Sequence, residues 1–175
     1  MKRNVLAVVV LLSSSVLAAA CAAPPEAGPE AGSDAAVART RDQIKMLDDL
    51  YKTAVVLITE HYVQTADSLS AASASKALFG EMEKKGWHQV RLVGLTDALM
   101  NGDNAPADGF EKAAAAKLLA GEASYEEVVT ENGRQYLRYA TPIPVVMPKC
   151  LMCHPTWEGN SGNIGSLSYK VPLIN

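Results

Sequence analysis

The stretch Lys149-Cys150-Leu151-Met152-Cys153-His154-Pro155 sets the tightest limit on how this chain folds. Two thiols two residues apart and an adjoining imidazole have three chemical readings: a zinc half-site, a dithiol redox motif or a haem tether. Pro148 stands before the motif and Pro155 after it. A proline inside a helix costs about 3 kcal/mol, so the spacing predicts that a loop, not a helix, carries the motif. With prolines also at 142, 144 and 172 and 21 residues beyond His154, the surroundings read as β-structure.

The rest of the chain decides among the three readings. Zinc needs further nitrogen or sulfur ligands, and beyond His154 the histidines are His61 and His88, far upstream and 27 residues apart. A thioredoxin-type pair opens a helix in a βαβ context, which the flanking prolines oppose. The haem reading uses every residue: Cys150 and Cys153 form thioethers with the two vinyl groups, and His154 gives its imidazole to iron. One covalently bound haem c is therefore the expected cofactor.

The N-terminus agrees with this. MKRNVLAVVVLLSSSVLAAAC has a basic start at Lys2 and Arg3, an apolar run and small residues ending at Cys21. The run from Val5 to Leu17 is shorter than the roughly 20 residues a membrane-spanning helix needs, so residues 1–20 read as an export signal. Leu17-Ala18-Ala19-Ala20-Cys21 resembles a lipobox whose cysteine becomes lipidated, although alanine stands where leucine is usual; an ordinary A-x-A cleavage is the alternative. Residues 21–34, rich in proline, alanine and glycine, have little to bury and read as a disordered tether. The expected location is periplasmic or otherwise extracytoplasmic, in a Gram-negative type of bacterium. Any membrane attachment is then expected through Cys21. Loss of Lys2 and Arg3 takes 16 basic residues to 14 against 19 acidic, a formal charge of −5, which argues against a nucleic-acid partner.

Residues 35–175 read as one α+β domain. Ala35 to Tyr62, without proline or glycine, predicts a helix of seven to eight turns, and Ser70 to Lys85 a second, closed by Gly86. His88 to Leu95 predicts a strand, Asn101 to Pro106 a polar loop, and Ala107 to Leu119 a third helix ending at Gly121. Tyr125 to Glu131 and Arg134 to Thr141 flank Asn132-Gly133, a strong hairpin signal. Ile164 to Leu173 predicts a closing strand. Helices followed by strands, with one helix inserted, imply an antiparallel sheet.

The ordered segments HYV at 61–63, KGWHQVRLVG at 85–94, NAPADGFEKAA at 104–114, GRQYLRYATPIPVVMPKCLMCHP at 133–155 and IGSLSYKVPL at 164–173 resemble a family of single-haem proteins. These have a PAS-like fold with a loop-mounted haem c and occur alone in the periplasm or as sensing domains of membrane receptors. The resemblance covers about residue 36 to the end. It implies a PAS-like antiparallel sheet, His154 as proximal iron ligand and a distal ligand from the N-terminal helical region. Members vary in that ligand, cysteine, methionine and histidine among them. The chain has no cysteine between Cys21 and Cys150, so a helix-borne cysteine is excluded here.

On the long helix Ile44, Leu47, Tyr51, Ala54, Ile58 and His61 form one stripe at spacings of three and four, which makes His61 the first choice for the distal ligand. A core histidine or a frayed helix end is the bland alternative. Met46, on a neighbouring stripe, and His88 are the other candidates, and an open sixth position is a further reading. Met152, inside the motif, is tied too close to the proximal side. Arg91 and Arg138 are candidate propionate donors, against the alternative of a solvated strand face. Tyr139 and Tyr169 are candidates for packing on the porphyrin or are ordinary strand aromatics. Asn104 and Glu111 read as caps and braces of the third helix.

Two function classes follow. One is an electron-transfer or redox-responsive cytochrome passing one electron to an unidentified partner protein; the other is a haem-based redox or gas sensor signalling through a partner. The first is favoured because no output module is expected in this chain. No acid-base pair is assignable, so the chain is not expected to be an enzyme. Homodimerisation is left open.

Overall fold

A computed structural model describes residues 29–65, 68–160 and 162–173. The signal, Cys21 and most of the tether lie outside the described residues. Among the described residues no helix is long and apolar enough to cross a membrane.

Helix α1 runs Pro29–His61, starting six residues before the expected Ala35. Its buried stripe is Ala36, Thr40, Ile44, Asp48 and Tyr51, spaced by four, four, four and three, the helical repeat that keeps side chains on one face. Helix α2 is Ala71–Lys84, with the Ser70 hydroxyl accepting from the Ser73 N–H at 3.1 Å. It closes in a Schellman arrangement, with Gly86 N–H donating to Glu83 O at 2.8 Å and Trp87 N–H to Met82 O at 3.4 Å. Helix α3 is Gly109–Leu119. Asp108, not Asn104, caps it, its side chain accepting from the Glu111 N–H at 2.8 Å.

Strands β1 (Gln89–Gly94), β2 (Tyr125–Glu131), β3 (Arg134–Pro144) and β4 (Asn163–Pro172) form one antiparallel sheet in the order β1-β4-β3-β2. The fold is therefore α+β, as expected. The β2–β3 connection is Asn132-Gly133 with φ of 51° and 77°, the positive pair that a two-residue hairpin turn of the right twist demands.

The two faces of the sheet carry different cargo because side chains alternate along each strand. Leu137, Tyr139, Leu167, Tyr169 and Val171 face α1 and α2, where Ile44, Tyr51 and Phe79 complete the main core. Ala140, on the other face, packs with Phe110, Ala114 and Leu118 of α3. A polar knot joins α1 to the sheet: the Asp48 carboxylate accepts from Thr141 Oγ1 at 2.6 Å, Tyr169 Oη at 3.0 Å and Lys52 Nζ at 2.8 Å. Tyr169 is fully buried, and that burial, with the Asp48 charge beside it, drives its phenol far above the ordinary value.

The link between β3 and β4 contains a single helical turn, α4 (Cys150–Cys153), followed by a 3-10 turn over Pro155–Trp157. This corrects the expectation of a motif without helix. Pro148 precedes the turn and Pro155 opens the next one, positions where a missing N–H costs nothing. The prolines limit the helix to one turn and do not forbid it.

Candidate functional site

One helical turn places residues i, i+3 and i+4 on a common side. The turn closes through His154 N–H donating to Cys150 O at 3.2 Å. Cys150, Cys153 and His154 consequently all line one cleft, and both cysteines are free thiols. The cleft is open at its mouth and has a volume of about 240 Å³.

Helix α1 and the sheet supply its walls. Val55, Val56 and Thr59 of α1 form one side, and the Thr59 hydroxyl is satisfied within the helix by Val55 O at 2.7 Å. The floor is the row Gly94, Gly165 and Ile143, neighbours in register across β1, β4 and β3. A Cβ at Gly94 would collide with Leu99, and one at Gly165 would stand 3.3 Å from Val93 O. The bare backbone at Gly94 therefore lets Leu99 pack down onto that end of the sheet. Leu92 and Leu167 continue the floor toward the core.

His154 is held as a ligand would have to be. Its ring stacks on Trp157 with centroids 3.6 Å apart and planes within 6°. Burial lowers its pKa, so the imidazole is neutral at neutral pH and offers a lone pair. Its Nδ1 is buried with no hydrogen-bond partner among the described residues, a costly state for a polar atom unless another group engages the ring. The donor set, the orphaned ring nitrogen and the aliphatic floor fit an apolar cofactor anchored through two thiols. Among the described residues no group of three or more histidines, cysteines and acids is placed to hold a metal ion by itself.

The cationic side chains in the lining are Lys52 and Lys149. Lys149 Nζ also donates to the backbone Glu60 O at 2.6 Å, tying the motif to the C-terminal end of α1. These two, with Trp157, are site residues that sequence reasoning missed. Trp157 has a legible signal, standing three residues after the histidine; Lys52 has none, since its position depends on how α1 lies across the sheet.

The other candidates stand elsewhere. His61 is exposed and does not line the cleft. It follows Thr59 by two residues, roughly 200° round the helix at about 100° per residue, so the stripe chosen from sequence faces the sheet while a different one faces the cleft. Met46 is 65% exposed. His88 is buried against Tyr51, its Nε2 2.8 Å from the phenol oxygen, and burial lowers its pKa. Arg91 and Arg138 point to the opposite face of the sheet. Arg91 pairs there with Glu111, and Arg138 reaches Asp108 at 2.7 Å above the Phe110 ring. This corrects the propionate reading of both arginines: the alternation that puts Leu92 and Leu137 toward α1 sends their neighbours to α3. Glu111 does brace α3 as expected, accepting also from the Ala107 N–H at 2.8 Å. Tyr139 and Tyr169 are core residues and do not line the cleft.

A family model described as Tll0287-like, Tll0287, matches residues 33–167. The chain belongs to the Tll0287-like family. A solved structure, that of the cyanobacterial heme-protein Tll0287, superposes with a TM-score of 0.58 at 13% identity, covering 78% of this chain and 97% of that one. At that identity the likeness shows the shared fold. No curated protein matches the chain.

Proposed function

We propose that this member of the Tll0287-like family is an exported carrier of one haem c and acts as a single-electron cytochrome, not as an enzyme. When bound, the haem supplies a one-electron iron couple. The observation that carries the reading is the single turn Cys150–Cys153, which brings both thiols and the stacked His154 to one aliphatic cleft. That the cyanobacterial protein of the same fold is a heme-protein supports the same cofactor here.

In this reading Cys150 and Cys153 would hold the haem through thioethers and His154 would ligate its iron, with Trp157 fixing the imidazole plane. Val55, Val56, Ile143 and Leu167 line the cleft and would exclude water from the group it holds, and exclusion of water is one of the levers that set a haem potential. Lys149 replaces Arg91 and Arg138 as the cation that can receive a propionate. A PAS-like relation, export and a lipid anchor at Cys21 belong to the same proposal.

The test is expression in a bacterial host with periplasmic haem c maturation. The wild-type protein should keep its haem through acidified organic solvent and through a denaturing gel. Cys150→Ala with Cys153→Ala should carry none in that assay. Complete extraction of haem from the wild type would refute covalent attachment.

A further inference from the structure

We propose that Met100 supplies the second axial ligand to the iron, from the loop between β1 and the 3-10 turn Gly102–Asn104. The inference rests on the haem reading of the same cleft and adds the residue that opposes His154.

The cleft lining narrows the choice. Apart from the segment 149–157, two described lining residues carry an atom with the character of a haem ligand: Lys52, through its amine, and Met100, through its thioether. Thr59 is bonded within its helix, and Asn104 Oδ1 accepts from Lys76 Nζ at 3.3 Å. Lys52 Nζ is already engaged, donating to the Asp48 carboxylate at 2.8 Å and to Thr141 Oγ1 at 3.1 Å. Ligation by Lys52 therefore requires the loss of both contacts. A thioether offers its lone pair at every pH.

Position and exposure point the same way. Met100 lines the cleft and yet is 69% exposed. An apolar side chain at the mouth of an aliphatic cleft gains by burial, at about 25 cal/mol per Å² of apolar surface, and methionine is the most adaptable of such side chains. Its neighbours fix where it stands. Leu99 packs into the space left by the missing side chain of Gly94, and Asn101 caps the 3-10 turn, accepting from the Asp103 N–H at 2.9 Å. Met100 is thus held between two anchored residues at the rim, with its three side-chain torsions free to reach inward.

The experiment compares the haem-loaded wild-type protein with Met100→Ala, Met100→His and Lys52→Ala, by visible and electron-paramagnetic spectra and by potentiometry. Wild type should be low-spin and six-coordinate. Met100→Ala should lose the low-spin signature and bind carbon monoxide rapidly when reduced. Met100→His should restore low spin at a lower potential, since methionine ligation raises it. Lys52→Ala should remain low-spin. A low-spin spectrum unchanged in Met100→Ala, a high-spin wild type, or loss of low spin in Lys52→Ala alone would each overturn Met100 as the ligand while leaving the covalent haem intact. A wild-type protein that takes up no haem would overturn both readings. Because Met100 is mostly exposed, its truncation leaves the fold in place, and unchanged circular dichroism verifies that.

Discussion

Replacing Asp48 by alanine is the sharpest test of how this fold is held together. Its side chain is 12% exposed, and its carboxylate accepts from two buried hydroxyls, Thr141 and Tyr169, and from the Lys52 ammonium. A hydrogen bond to a charged group contributes about 1.5–3 kcal/mol, and a buried hydroxyl left without its acceptor costs about 1–3 kcal/mol. The Lys52 side chain is 31% exposed, so water compensates part of that pair and it adds little. Asp48→Ala should destabilise the protein by about 3–5 kcal/mol, the range seen when one partner of a buried pair is removed. In urea, with a slope of roughly 2 kcal/mol per M, the midpoint should fall by about 2 M. Asp48→Asn keeps an acceptor oxygen and should cost roughly half as much. Tyr169→Phe should be damaging in the wild type but nearly neutral in Asp48→Ala, where the hydroxyl has already lost its acceptor, giving a coupling above about 1 kcal/mol. An Asp48→Ala midpoint within about 0.3 M of wild type, or simple additivity with Tyr169→Phe, would refute the knot as a structural centre.

Other perturbations test separate parts. His88 is kept neutral by burial against Tyr51, and its folded pKa lies below the unfolded value near 6.5. Its contribution is therefore present above about pH 6.5 and is lost as pH falls through the folded pKa. His88→Gln should flatten that part of a stability-against-pH curve; an unchanged acid slope would sink the assignment. Gly133→Ala forces a β-carbon into a position with φ of 77° and should cost about 1–2 kcal/mol, visible as a lower thermal midpoint. The same substitution at Gly80, where no atom lies within 4 Å of the added carbon, should be neutral or slightly stabilising by helix propensity.

Local chemistry explains what was legible without coordinates. The Asn132-Gly133 turn and the glycine after α2 are short-range devices, so the elements they bound appear within a few residues of expectation. The thiols and imidazole of the motif are likewise adjacent in sequence, so their shared chemistry needs no fold to be read. The distal side is different. On α1 two inward stripes exist, one toward the sheet and one toward the cleft, and periodicity shows that a face is buried without showing against what.

The linear order of residues thus determined the helices, the hairpin, the antiparallel α+β class and the grouping of Cys150, Cys153 and His154 on which the haem proposal rests. Tertiary structure alone decided which other side chains join them. The crossing of α1 over the sheet turns His61 outward and Lys52 inward, strand alternation sends Arg91 and Arg138 to the α3 face, and the space above Gly94 receives Leu99 so that Met100 stands at the rim. Each depends on contacts between segments tens of residues apart, and a pattern read along the chain carries the period of an element but not its rotation against its neighbours.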